Sequence, residues 1–276
     1  MKRDFRLAMC QMHVIDDKEM NISRALDMLT GAAEGGADLA VLPEMFNCPY
    51  DNSKFDKYAE TLPGSLTAGA MAQKARELGI YVVAGSIPER DGNNLFNTCL
   101  IFDKSGDLTG RHRKMHLFDI DIKDKIRFME SEVLSYGREV TVVETDFCKI
   151  GIAICYDMRF PELSRLMALE GAEVIIIPGA FNMVTGPAHW EILIRTRALD
   201  NQVYVAAVSP ARSLTASYTA YGNSMAASPW GTVIAMASEK EEIIFADIEA
   251  GEIARIRNEL PLLKHRRVDL YDINKR

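Results

Sequence analysis

The chain has 276 residues, 48% of them hydrophobic and 26% charged, an ordinary globular composition with enough apolar content for one sizeable core. A formal charge of −7 argues against a nucleic-acid partner, which needs a concentrated basic face; the one basic cluster, Arg111-His112-Arg113-Lys114, is too short to supply it. No apolar run approaches the roughly 20 residues of a membrane helix, so no membrane partner is expected.

Strand and helix patterns alternate along the chain. Phe5–Cys10 reads as a strand, entered directly from Met1-Lys2-Arg3-Asp4 rather than through a signal-peptide apolar stretch. Ile22, Ala25, Leu26, Leu29 and Ala33 repeat at helical spacing, with Asp16 and Asp17 available as caps. Asp38–Leu42 reads as a buried strand stopped by Pro43. Thr67 is placed to cap a helix that carries Ala68, Met71, Ala72, Ala75 and Leu78 and ends at Gly79. Strands follow at Ile80–Ser86 and Asn97–Phe102, with Asp91-Gly92-Asn93-Asn94 as the turn between them.

The second half repeats the plan. A strand over Ile150–Cys155 feeds a helix opening at Pro161 and ending near Gly171, and Val174–Ile177 is again fully apolar. A helix from about Pro187 to Asp200 precedes a strand over Val203–Val208. Further strand patterns near Asn223–Ala227 and Ile243–Ile248 lead to a short final helix and a charged tail.

The halves echo one another. Gly36–Glu44 aligns with Gly171–Gly179, and Leu7–Cys10 with Ile152–Cys155, which predicts two equivalent βαβ units. All-apolar central strands need cover on both faces. The expected fold is therefore α/β, a four-layer α-β-β-α sandwich over residues 1–276 as one domain, with no linker composition to divide it. Five cysteines with no C-x-x-C spacing fit free thiols in a reducing, cytoplasmic setting better than a disulfide framework.

One stretch carries most of the chemical signal. In Lys149–Leu163 an apolar strand pattern runs into Cys155, a short polar turn follows, and Pro161 opens a helix. Turn N–H groups and a helix N-terminus there lower a thiol pKa and bind a developing oxyanion. The alternative is a small buried apolar cysteine. Cys10, its counterpart in the echo, is followed by a long polar connection instead of a tight turn. A nucleophilic thiol needs a base and a cation. None of the five histidines stands in a recognisable base motif; His112 and His116 are four apart but lack the companions of a zinc site, so no metal and no cofactor is expected. Glu44 follows a strand and a proline, where open α/β sheets place their sites, or is a loop glutamate. Lys114 and Glu130 read equally as a surface strand lysine and a loop or cap carboxylate. No serine elbow, P-loop or G-x-G-x-x-G pattern is present.

Taken together, Leu42-Pro43-Glu44-Met45-Phe46, Arg113–Asp119 and Gly151–Glu162 resemble the carbon–nitrogen hydrolases of the nitrilase superfamily, in the same order and across essentially the whole chain. The resemblance implies the sandwich fold, and a catalytic Glu44, Lys114 and Cys155 with Glu130 as second glutamate. It also implies a homodimer, with the tail over 258–276 at the subunit interface. Within the superfamily, His116–Asp121, Phe128–Ser131, Pro178–Asn182, Thr185–Trp190 and Ser209–Arg212 are most similar to the branch that hydrolyses the terminal amide of 2-oxoglutaramate and 2-oxosuccinamate. Deaminated glutathione and N-carbamoyl amino acids are the alternative small-molecule substrates, and a catalytically silent scaffold is the non-enzymatic one.

In that chemistry Lys114 and the Tyr156 N–H hold the oxyanion of a thioester-forming attack. Arg159 is a candidate cationic anchor for an acidic substrate, or else an ion-pair partner of Asp157 or Glu162. Tyr50, Phe181, Thr185 and His189 are the further substrate-binding candidates; His189 and Trp190 either line the mouth or pack.

Overall fold

The protein is described by a computed structural model covering residues 1–123 and 126–275. The first half runs β1 (Phe5–Gln11), α1 (Lys18–Glu34), β2 (Leu39–Val41), α2 (Asn52–Tyr58), β3 (Glu60–Thr61) and α3 (Leu66–Leu78). It continues through β4 (Tyr81–Val83), β5 (Ile87–Asp91), β6 (Asn94–Phe102) and β7 (Leu108–Arg113). The antiparallel pair β8 (Asp119–Ile122) and β9 (Ile126–Met129) leads to a 3-10 turn at Glu130–Glu132. The second half runs β10 (Thr141–Glu144), β11 (Lys149–Ile152), a 3-10 turn at Cys155–Arg159, α4 (Pro161–Leu169) and β12 (Val174–Pro178). Then come α5 (Gly186–Asn201), β13 (Tyr204–Val208), β14 (Met225–Ala227), β15 (Val233–Met236), β16 (Glu242–Ile248) and α6 (Ala250–Glu259).

Two sheets result. One has the order β16-β1-β2-β4-β6-β5-β3 with β7 also on β6; the other runs β10-β11-β12-β13-β14-β15. Side-chain alternation divides the layers, because successive residues of a strand face opposite sides. Leu7, Met9, Leu39, Val41, Tyr81 and Val83 point inward and share one core with Ile150, Ile152, Val174 and Ile176 of the second sheet. Ala8, Cys10, Ala40, Val82 and Ala84 point outward against Ala25, Leu29 and Ala32 of α1 and Met71 and Ala75 of α3. On the far side, Leu163 and Met167 of α4 and Trp190, Ile194 and Ala198 of α5 cover the second sheet. The result is the α-β-β-α sandwich. No helix among the described residues is long and apolar enough to cross a membrane.

The echo is real, with a register the sequence alignment misses. β1 runs parallel to β2 with Met9 opposite Val41, and β11 runs parallel to β12 with Ile152 opposite Ile176. Since Val41 and Ile176 correspond, Met9 matches Ile152 and Cys10 matches Ala153. Cys155 therefore lies two residues beyond the counterpart of Cys10, past the end of its strand.

Local boundaries shift for identifiable reasons. Asp17 caps α1, its side chain accepting from Met20 N. Ser65, not Thr67, caps α3, with Oγ accepting from Ala68 N at 2.9 Å. Thr67 is drawn instead to the buried Glu60 carboxylate. The expected strand Ile80–Ser86 is only three residues long, because Gly85 takes a left-handed φ of +42° and turns the chain away. The expected strand Ile150–Cys155 ends at Ile152. α6 extends to Glu259, so the tail begins after it, and Arg276 lies outside the described residues.

Candidate active site

Four side chains from four different loops and strand ends converge at the carboxyl edges of the two sheets. Glu44 stands just past β2, Lys114 just past β7, Glu130 opens the first 3-10 turn, and Cys155 opens the second. All four are buried, with Glu130 and Lys114 at 0% exposure. Two glycines let the backbone close in behind them. A Cβ at Gly85 would overlap the Pro43 carbonyl oxygen, and one at Gly137 the Arg113 carbonyl oxygen. Those are the residues immediately before Glu44 and Lys114, and the Gly137 N–H donates to the Lys114 carbonyl at 2.8 Å.

Lys114 Nζ donates to Glu44 Oε1 at 2.9 Å and to Glu130 at 2.9 Å. The Tyr50 hydroxyl lies 3.3 Å from the same ammonium and donates to Glu130 Oε1 at 2.6 Å. Glu130 Oε2 accepts from the Phe118 N–H at 2.6 Å. Glu44 Oε1 also accepts from Asn97 Nδ2 at 2.9 Å, whereas Glu44 Oε2 is buried without any partner. One carboxylate is thus clamped on both oxygens, and the other keeps one oxygen free.

The charges explain the division of labour. Burial would pull the Lys114 pKa down, but the neighbouring Glu130 and Glu44 carboxylates more than offset this and raise it, so the side chain is an ammonium. Glu44 is pushed up by burial and by Glu130, against the opposing pull of Lys114. A carboxylate raised in this way accepts a proton more readily than one in water. The Cys155 thiol is also pushed up, by burial and by the Glu44 charge, with Lys114 and a hydrogen bond from the Ala180 N–H pulling the other way. The sequence reading has the turn and helix N-terminus lower the thiol pKa; in the folded site burial and the Glu44 charge outweigh them. Within a buried site of net charge −1 a thiolate does not form unaided, and the adjacent base is required.

What the turn does supply is position. Cys155 has a left-handed φ of +46°, uncommon for a residue with a side chain. Asp157 holds it there. Its carboxylate accepts from Ile154 N at 2.9 Å, His116 N at 2.8 Å, His116 Nδ1 at 2.8 Å and meets His112 Nε2 at 3.2 Å. Despite complete burial its pKa lies well below the ordinary carboxylate range, because the His112 and His116 hydrogen bonds outweigh desolvation. Arg197 of α5 closes the turn from the other side, donating to the carbonyls of Met158 and Arg159. Tyr156, second in the turn, has one of the N–H groups that a helical start leaves without an intrahelical acceptor.

A cleft of about 420 Å³ reaches Glu44, Tyr50 and Ala180, and is walled by Cys48, Pro210, Tyr218 and Ala220. Tyr50 lies within it, between Phe128 and Tyr218 in an aromatic cluster. Arg159 pairs with neither Asp157 nor Glu162. Its guanidinium lies 4.7 Å from the centre of the Phe181 ring, Nη1 donates to His189 Nδ1 at 3.1 Å, and Nε is buried without a partner. Phe181 therefore shapes the site through Arg159 and through an edge-to-face contact with Trp190. Trp190 is buried packing, with its indole N–H on the Asn223 carbonyl, while His189 is exposed. Thr185 belongs to the start of α5, bonded to Asn182, and does not line the cleft. The sequence reading misses Asn97, Asp157 as an anchor, and Tyr218, whose hydroxyl donates to the Ala180 carbonyl at 2.5 Å. The polar pair Asn97-Thr98 in the middle of β6 was the only hint of Asn97.

Comparison with known proteins shows the family and the fold. Residues 6–258 match the carbon–nitrogen hydrolase family model. The chain is 51% identical to omega-amidase NIT2 of Danio rerio over 98% of this chain and 97% of that protein, and 46% identical to omega-amidase NIT2 of Homo sapiens over the same shares. Among solved structures, Saccharomyces cerevisiae Nit3, a member of branch 10 of the nitrilase superfamily, superposes with a TM-score of 0.89 at 42% identity, covering 96% of this chain and 97% of that one.

Proposed function

This chain belongs to the carbon–nitrogen hydrolase family and hydrolyses carbon–nitrogen bonds other than peptide bonds; we propose that it does so by cysteine catalysis on small 2-oxo acid amides. The observation that carries the reading is the unpartnered Glu44 Oε2, buried beside the Cys155 thiol while its sister oxygen is fixed by Lys114 and Asn97. Glu44 takes the thiol proton and the sulfur attacks the amide carbon, moving the carbonyl π pair onto oxygen. Two of the ammonium's three N–H bonds are held by Glu44 and Glu130; the third, on the longer 3.3 Å contact to the Tyr50 hydroxyl, turns to that oxyanion beside the Tyr156 N–H. As the carbon–nitrogen bond breaks, Glu44 passes its proton to nitrogen, and ammonia leaves a thioester. Glu44 then removes a proton from water, hydroxide adds to the thioester, and the carbon–sulfur bond breaks with return of the proton to sulfur.

The reading of the substrate class is supported by Arg159, which lies within electrostatic range of Cys155. Arg159, without a carboxylate partner, suits a substrate carboxylate, and the similarity to omega-amidases of the same length favours 2-oxoglutaramate and 2-oxosuccinamate over deaminated glutathione or N-carbamoyl amino acids. Ammonia release from these compounds, compared side by side, tests the assignment; retention of full activity by Cys155→Ala would falsify the mechanism. Intact-mass detection of the acyl adduct tests the thioester.

The proposed homodimer is supported by exposed Ile192 and Leu199 on α5, with Trp230 beside them, and Val268, Leu270 and Tyr271 on the tail. Light scattering reads the assembly directly. The five cysteines are all unpaired, in keeping with a reducing, cytoplasmic setting.

A further inference from the structure

In the proposed mechanism one oxygen of Glu44 takes a proton from sulfur, gives it to nitrogen and then takes another from water. A glutamate carboxyl torsion is broad and roughly two-fold, so nothing intrinsic to the side chain keeps the same oxygen facing the same partners. The fold has to make the two oxygens unlike. Lys114 does so in the resting site, but its ammonium also bonds Glu130 and contacts the Tyr50 hydroxyl, and it turns to the oxyanion during the reaction. Protonation of Glu44 weakens that ion pair at the moment when the carboxyl group must stay in place.

Asn97 supplies a second hold. It lies in β6, fully buried, and its Nδ2 donates to Glu44 Oε1 at 2.9 Å. The reverse placement of the amide would set two acceptor oxygens at that separation, so the donor faces Glu44. The Asn97 carbonyl accepts from the Lys114 N–H at 2.8 Å. One residue therefore grips the base by its side chain and the ammonium-bearing residue by its backbone. The titratable groups around Glu44 are Lys114, Glu130, Cys155, Tyr50 and Tyr218. The Asn97 amide has no proton to exchange, and it donates to a carboxylate and to the carbonyl oxygen of a carboxylic acid alike. Its Oδ1 is buried without a partner, in a strand whose Leu95, Phe96, Cys99 and Leu100 are apolar. A buried unpaired acceptor is costly, so packing alone does not select an amide here.

We propose that Asn97 is a positioning residue: its amide fixes Glu44 Oε1 through both rounds of proton transfer, so that Oε2 remains the oxygen that exchanges protons with Cys155, the leaving nitrogen and water. This rests on the reading of Glu44 as the general base. Asn97 acts through Glu44 and is not among the residues that line the cleft.

Asn97→Leu keeps the approximate size and removes the donor together with the unpartnered oxygen; Asn97→Ala removes the same atoms without adding bulk. The measurements are kcat and KM for ammonia release from 2-oxoglutaramate across pH, in the parent, in each variant, in Glu44→Gln and in the double variant Asn97→Leu/Glu44→Gln. Melting temperature checks the fold. Both single variants are expected to lower kcat by about 10- to 100-fold while KM stays within about two-fold of the parent. The acid limb of kcat should move toward alkali, because a carboxylate that loses a donor ionises less readily. In the Glu44→Gln background, Asn97→Leu should change the residual rate by less than about three-fold, since no base is left to position. Parent-like kcat in both single variants overturns the proposal, as does a stationary acid limb or a loss just as large in the Glu44→Gln background. Each of those results leaves the proposed function standing. Full activity in Glu44→Gln removes the base reading and the proposal with it.

Discussion

Replacing Glu44 by glutamine makes a prediction that runs against intuition: the enzyme loses turnover while its thiol becomes more acidic. Glu44, Lys114 and Glu130 together carry a charge of −1 among buried side chains, so ionising Cys155 adds a second negative charge beside the first. Glu44→Gln makes the cluster neutral and removes the neighbour that pushes the thiol up. Two unit charges in contact interact by about 4 kcal/mol at an effective dielectric constant of 20, equivalent to about three pH units. Allowing for relaxation, the pH profile of Cys155 alkylation by iodoacetamide is expected to move toward acid by roughly one to three pH units. Over the same substitution, ammonia release is expected to fall by about 10²- to 10⁴-fold, the usual worth of a general base. Alkylation is read by mass spectrometry so that Cys155 is distinguished from Cys48, which lines the cleft. An alkylation profile that stays in place, or moves toward alkali, refutes the reasoning, because the Glu44 charge would then not be what opposes thiolate formation.

Lys114→Met leaves Glu44 and Glu130 facing each other without the ammonium, and breaking such a buried pair costs about 3–5 kcal/mol, roughly 6–20 °C of melting temperature at this size. The folded-state pKa of Glu44 is already raised, so the variant is expected to lose further stability as pH rises; a melting temperature equal to that of the parent contradicts this. Asp157 titrates the other way. Its folded pKa is depressed, so its contribution is complete above about pH 5, begins to fade near the ordinary carboxylate value of about 4 and is lost as pH falls further. The melting-temperature gap between the parent and Asp157→Asn should therefore narrow as pH is lowered from about 5 to about 2.5, and a constant gap over that range counts against the anchor role. Gly85→Ala sets a side chain at φ +42° against the Pro43 carbonyl and is expected to cost about 2 kcal/mol or more together with activity, read by thermal melting and kcat.

The order of the elements was legible because all-apolar runs such as Val174–Ile177 can only be strands covered on both faces, and because Pro161 and Gly79 mark helix ends by their backbone restrictions. The sequence also picks out Glu44, Lys114, Glu130 and Cys155, since these residues sit at element ends within stretches that resemble one family in one order. Their meeting is a tertiary event. Positions 44, 114, 130 and 155 are brought into hydrogen-bonding and electrostatic range only when β2, β7 and β11 end at the same edge. Electrostatics were illegible for the same reason, because a pKa depends on burial and on neighbours from other segments. Hence the local pattern at Cys155 suggests an acidic thiol, whereas Glu44 and desolvation make it a reluctant one. The fate of Arg159 was likewise undecided in sequence, with Asp157 and Glu162 both in reach. The fold commits Asp157 to His112, His116 and the Ile154 N–H, and so leaves the guanidinium without a carboxylate. Sequence determined which residue types stand at the ends of which elements; only tertiary structure decided which of them are partnered and which keep an atom free for a substrate, because partnering in a closed interior is set by groups distant along the chain.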